Sequence, residues 1–182
     1  ISATLSQNMS SVERFLIRAR KRQLKPLLFV SGERHLYLGE RYPLTVHPGV
    51  ARFPAVLFTG QEIRVVTRQK DPENIRKALH AWYHCQASKV LDSRLQAVAA
   101  SAEWVRTRPV PMKLRKMKRT WGNCSSKGLI KLNTHLIKAP LALIDSVIAH
   151  ELCHLREANH GRAFYDLLER LNPAWRADRA RL

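Results

Sequence analysis

The stretch "HELCHLREANH", residues 150–160, carries three histidines and a glutamate within eleven positions. The residues before it, Ile144, Val147, Ile148 and Ala149, recur at helical spacing and mark a helix with a buried face. On a helix His150 and His154 lie one turn apart on one side, so two imidazoles can reach one ion. Glu151 is rotated about 100° from His150. That is too far round to be an obvious ligand, but close enough to reach a water held on the metal. This is the H-E-x-x-H arrangement of two zinc ligands and a general base. Three fixed positions are a weak filter by themselves. The bland alternative is a pair of partly exposed histidines on a packed helix. The apolar flank counts against it, because a buried Glu151 without a metal or other partners is costly.

A catalytic zinc site needs a third protein ligand and leaves the fourth position to water. His160 is the preferred third ligand, with Glu157 and Glu169 as competitors. An unbroken helix would carry His160 about 120° round from His154 and about 9 Å along the axis, so the chain must turn between them. "REANHG" supplies Asn159 and Gly161 for a left-handed turn, and the helix is expected to end near Glu157–Asn159. Cys153 faces elsewhere and reads as a buried structural thiol.

The chain has 182 residues, the length of one domain with a core of useful size. No apolar run approaches the roughly 18 residues of a membrane span, so no membrane partner is expected. Three cysteines, Cys85, Cys124 and Cys153, follow no disulfide framework and point to a reducing, cytoplasmic setting. The chain starts at Ile1 rather than Met, which suggests a trimmed start. Thirty-two Lys and Arg stand against fourteen Asp and Glu, a net charge of +18. This excess favours polyanions. Seven basic residues fall between Arg106 and Arg119, and Lys113, Arg115, Lys116 and Lys118 are the candidate contacts to non-specific nucleic acid.

Residues 4–24 read as a helix with a basic end. Residues 25–69 hold short Val-, Leu-, Phe- and Tyr-rich runs separated by Gly or Pro, the pattern of hairpins in an antiparallel sheet. Asp71-Pro72 opens a long helix with an apolar stripe through Ile75, Leu79, Trp82, Tyr83, Leu91 and Leu95. His80 and His84 share its surface at ligand spacing but have no third partner. Two strands around a polar turn are expected in residues 110–133, and a last helix in "GRAFYDLLERL". No linker splits the chain. One domain over 1–182 is expected, with hairpins plus a helix in 25–100 and the metal-binding part in 101–182.

With "WGNCSSKGLIKLN" and "LIKAPLALIDSVIAHELCHLREANHGRAFYDLLERLNPAWR" in view, the chain resembles the YgjP-like metallopeptidase family, which is related to the SprT-like metallopeptidases. "ERHLYLGERYPLTV" and "LHAWYHCQASKVLDSRL" resemble its N-terminal part, so the likeness covers roughly residues 25–182. It implies an α+β, zincin-like fold: a small antiparallel sheet packed on helices that include the zinc-binding helix, beside an N-terminal helix and β-hairpins. It places one Zn²⁺ on His150, His154 and His160, and the catalytic role on Glu151. Thr120 and Asn123 depart from the family's usual residues around the W-G pair. The His150–His160 spacing also matches the metzincins, but Glu157 stands where they have glycine and no methionine turn follows.

The resulting expectation is a zinc-dependent peptidase that hydrolyses peptides or proteins through a zinc-bound water, with Glu151 as general base. His135, Tyr165 and Asn123 are candidate transition-state stabilisers. The strand "GLIKLN" is expected beside the cleft, where a free edge would accept an extended substrate. The alternative is a basic nucleic-acid-associated protein whose zinc site is structural or vestigial. The sequence leaves oligomeric state open.

Overall fold

The computed structural model describes residues 26–105, 109–118 and 120–175. The expected N-terminal helix, residues 4–24, lies outside them, as do Arg106, Arg108 and Arg119 of the basic run. The architecture is α+β, as expected. Four strands come first: β1 (Arg34–Tyr37), β2 (Glu40–Pro48), β3 (Ala55–Phe58) and β4 (Ile63–Thr67). They form one sheet in the order β1-β2-β4-β3. Helix α1 (Pro72–Ala99) follows, then β5 (Met112–Arg115), β6 (Gly122–Cys124) and β7 (Ile130–Asn133) in a second sheet ordered β5-β7-β6. A 3-10 turn (Thr134–Lys138) leads into α2 (Leu141–Cys153), and α3 (Arg162–Leu171) ends the described fold.

Local rules account for much of this. Asp71 caps α1 by accepting the Asn74 N–H at 3.0 Å, and Pro72 occupies the first turn where no N–H is needed. The α1 stripe buries Ile75, Leu79, Trp82, Tyr83, Leu91 and Leu95. Each such large apolar side chain contributes roughly 1.5–3 kcal/mol by leaving water. The β1–β2 hairpin turns through Leu38 and Gly39, both at positive φ (49° and 92°). This matches a two-residue turn whose twist suits the flanking strands. The turn docks on the 3-10 segment. Leu38 N–H donates to the Ile137 carbonyl and Gly39 N–H to that of Lys138, at 2.9 and 3.1 Å. A Cβ on Gly39 would lie 2.8 Å from the Pro140 ring, so the approach requires glycine.

Strand pairing differs from the expectation of purely antiparallel sheets. β2 and β4 run parallel, as do β5 and β7; β1–β2, β3–β4 and β6–β7 are antiparallel. The region expected to hold two strands around a turn holds three. "LIKLN" supplies β7, the centre of its sheet, with both edges paired. The strand beside the buried carboxylate is instead β6. The cause is non-local: β5 returns to β7 across a sequence gap that no turn signal marks.

One core cluster draws on both sheets, α1 and α2, including Leu44, Ile63, Leu79, Ile130, Leu132 and Ile148. Arg94 of α1 clamps Asp145 of α2 with two hydrogen bonds, Nε to Oδ1 at 2.7 Å and a terminal nitrogen to Oδ2 at 2.6 Å. Among the described residues no helix is long and apolar enough to cross a membrane.

Candidate metal centre

Helix α2 delivers His150 and His154 from its last turn. It ends at Cys153, earlier than the expected Glu157–Asn159, and His154 is its C-cap. The reversal needs no left-handed residue. Gly161 is extended (φ −81°, ψ −174°) and Asn159 is not at positive φ. Instead the chain tightens through hydrogen bonds from the N–H groups of Leu155, Arg156 and Glu157 to the carbonyls of Leu152 and Cys153. The Trp104 indole N–H donates to the Leu152 carbonyl at 3.0 Å and satisfies another helix-end acceptor. Six residues past His154 the chain has folded back, and His160 meets the pair.

The three imidazoles converge through the same atom. His150 Nε2 lies 3.2 Å from His154 Nε2 and 3.1 Å from His160 Nε2. A tetrahedral ion with bonds of about 2.0–2.1 Å keeps its ligand nitrogens about 3.3–3.4 Å apart. The two spacings from His150 match that geometry, and all three ligand nitrogens lie within 4.8 Å of one another, close enough to be drawn around one ion. His154 Nδ1 lies 3.1 Å from the Glu157 carbonyl. That oxygen can only accept, so Nδ1 carries a proton and Nε2 is the ring nitrogen turned toward the other two imidazoles. Burial, then the neighbouring His154 and His160 rings, push His150 down to about 4. Burial and His154 also lower His160. Both rings are held in the neutral form that a metal requires. Among the described residues these three histidines form the group able to hold a metal ion. The competing Glu169 accepts the Trp175 indole N–H at 2.6 Å.

Phe164, fully buried at the start of α3, packs its ring 5.0, 4.8 and 4.6 Å from the rings of His150, His154 and His160. It is the shared wall of the cluster. Sequence analysis placed it within the last helix and gave it no part in the site. Its position four residues after His160 was the available signal.

Glu151 is 6% exposed, on the α2 face that meets β6. The Cys124 backbone N–H donates to its carboxylate. Burial nevertheless outweighs that bond and lifts the carboxyl to about 7. A cation on the adjacent imidazoles would pull it back down. Gly122 lies directly against the carboxyl: a Cβ there would fall 2.5 Å from Oε1 and 2.6 Å from Cγ.

The remaining candidates are dispersed. Tyr165 stacks on Trp175 at 5.3 Å and meets Phe164 edge-on at 5.5 Å. Asn123 sits between Gly122 and Cys124 on β6, and alternation turns its exposed side chain to the opposite face from Glu151. His135 is only partly enclosed on the 3-10 turn, and desolvation of the inner part of its ring, then Lys138, Lys116 and His80 nearby, pushes it to about 4. Lys113, Arg115, Lys116 and Lys118 are all exposed. His80 and His84 are exposed on α1, outside the cluster. Cys153 is fully buried, and burial raises its thiol to about 12.

Convergent imidazoles beside a buried carboxylate are the equipment of metal-dependent hydrolases. The chain belongs to the YgjP-like metallopeptidase family, whose domain model matches residues 1–182. Membership implies a metal and peptide or protein substrates. Among solved structures the chain is similar to the metallopeptidase zymogen abylysin of Pyrococcus abyssi. The two are 22% identical, covering 50% of this chain and 85% of that one, with a TM-score of 0.43. No curated protein matches the chain.

Proposed function

We propose that the protein is a zinc-dependent peptidase in which His150, His154 and His160 hold one Zn²⁺ and Glu151 is the general base. The observation that carries this reading is the meeting of three Nε2 atoms beside one buried carboxylate. An all-imidazole set with an open fourth position suits zinc among the common ions. When bound, the ion supplies Lewis-acid polarisation of a water molecule and of the scissile carbonyl. Glu151 accepts a proton from the attacking water and returns it to the leaving amine as the C–N bond breaks. The Cys124 N–H fixes the carboxylate for that exchange. Among the described residues β6 pairs with β7 alone, and an extended substrate would join its other edge beside the Cys124 N–H that Glu151 uses. Tyr165, in contact with Phe164, is the candidate stabiliser best connected to the histidine cluster.

Elemental analysis and hydrolysis of labelled casein test the reading. Wild type and Glu151→Gln should each carry one zinc, while the variant loses about 10²–10⁴-fold in rate. Wild-type turnover by Glu151→Gln would overturn the general-base role. Full zinc in His160→Ala, with loss in Glu169→Ala, would overturn the third ligand.

A second reading, contact with nucleic-acid phosphates, is favoured by a separate observation. Residues 104–144 contain ten Lys and Arg and no Asp or Glu. Within this tract Lys113 of β5 lies directly opposite Lys131 of β7, and alternation puts Arg115 on the same face. Like charges across a strand pair repel, and an anionic partner would relieve them. A labelled duplex titrated at about 0.15 M salt should bind with a dissociation constant of roughly 10⁻⁴ to 10⁻⁶ M. Neutralising Lys113, Arg115, Lys116 and Lys118 should flatten the salt slope by about 0.9 for each phosphate no longer neutralised, with zinc retained. Absence of binding at that salt would remove nucleic acid from the function.

A further inference from the structure

Glu151 lies on a helix, where its own backbone fixes only the root of the side chain. What fixes the carboxyl end comes from β6. The Cβ position of Gly122 is 2.5 Å from Oε1, 2.6 Å from Cγ and 2.7 Å from Cδ of Glu151. The carboxyl thus rests on bare backbone, in space that any side chain at 122 would occupy. Two residues on, the Cys124 N–H donates to the same carboxylate.

The strand itself is anchored. Asn133, 2% exposed on β7, donates from Nδ2 to the Met117 and Thr120 carbonyls at 2.9 and 3.0 Å. Its backbone N–H donates to the Trp121 carbonyl at 2.9 Å, and its Oδ1 accepts the His135 N–H at 3.1 Å. Every polar group of this buried side chain is used. The chain is therefore tied to β7 just before Gly122, and the backbone under Glu151 is anchored there.

From this we infer that Gly122 is a positioning residue: its missing side chain, on a strand held by Asn133, sets where the Glu151 carboxyl lies. The inference rests on the reading of Glu151 as general base. Gly122 is not at positive φ, so alanine meets no backbone strain there. Alanine also restricts the unfolded chain and by itself favours the fold. Any harm done by Gly122→Ala must then come from what its methyl strikes, and that is Glu151. The carboxyl has to withdraw from the strand, and its bond from the Cys124 N–H stretches or breaks.

The test combines a stability cycle with metal content and kinetics on the full chain. Gly122→Ala should lower Tm by roughly 3–9 °C in the wild-type background, the range expected of an overpacked site. In a Glu151→Ala background the same change should leave Tm unchanged or raise it. With Glu151→Asp, one methylene shorter, most of the loss should be recovered. Equal losses in all three backgrounds would overturn the inference. In the zinc-loaded protein Gly122→Ala should keep its metal and its KM for labelled casein, while kcat falls about 10²-fold, as a displacement near 1 Å can cause. Unchanged kcat would likewise overturn it. If wild type cleaves no casein, the peptidase reading fails, yet the Tm cycle still decides whether Gly122 positions Glu151.

Discussion

Helices α1 and α2 each carry two histidines four residues apart, and among the described residues only the α2 pair converges with a third into a group able to hold a metal. His80 and His84 lie on the exposed side of α1, which buries the opposite stripe. His150 and His154 lie in the last turn of α2, where the chain reverses and brings in His160. The helices differ in construction too. α1 has an Asp71 cap, a proline in its first turn and 28 residues. α2 has 13 residues, Pro140 at its N-cap with no side-chain cap, and a buried carboxylate. Local sequence suffices to define α1. α2 breaks several local rules and relies on neighbours: Arg94 on Asp145, Trp104 on the Leu152 carbonyl, Cys124 on Glu151. Ligand spacing on a helix is common. What separates a candidate site from a surface is a third imidazole and a wall, here His160 and Phe164.

The sharpest way to break the comparison is to remove one histidine from each helix. His150→Ala should lose the metal, with affinity down by more than about 100-fold, beyond the effect usual for an outer-shell change. The His80→Ala/His84→Ala double variant should keep full metal content by elemental analysis. Equal retention by both would erase the distinction.

A smaller effect concerns the buried carboxylate of α2. The Glu151 carboxyl stands at about 7 in the metal-free fold against an ordinary 4.5. Below pH 4.5 both folded and unfolded chains hold the proton, and burial of the neutral acid carries no electrostatic penalty. Between 4.5 and 7 the unfolded chain has released a proton that the folded chain keeps, so stability falls as pH rises. Above 7 the loss levels off at about 3 kcal/mol. In chelator-treated protein Glu151→Gln should therefore be more stable than wild type at pH 8 by up to about 3 kcal/mol, and the gap should close near pH 4.5. Denaturant melts at the two pH values measure it, and a pH-independent gap would contradict the burial argument.

The smallest change falls on α1. Asp71→Ala should cost about 1 kcal/mol by losing the bond to the Asn74 N–H, with no effect on metal content. A cost well above 2 kcal/mol would mean that α1, too, depends on its neighbours more than on its cap.

By itself the sequence determined the features set by helical geometry and local turn chemistry. Asp71-Pro72 opens α1, and the 3.6-residue repeat picks out its buried stripe. The same repeat puts His150 and His154 on one side and Glu151 on another, and it requires a reversal before His160 can join them. Tertiary structure decided the rest. Where α2 stops was fixed by hydrogen bonds around Leu152 and Cys153 and by Trp104, from about fifty residues upstream. The parallel pairing of β5 with β7 and the position of β6 beside Glu151 join segments that no local signal links. Phe164 looked like any core phenylalanine until three imidazoles surrounded its ring. Gly122 carried no assigned role in the sequence beyond the W-G pair, although its use is to leave room for a carboxylate 29 positions away. Periodicity is carried by bonded neighbours and is written in the chain. Contact between distant segments depends on how whole surfaces pack, and the absence of a side chain acquires meaning only when something else fills the space.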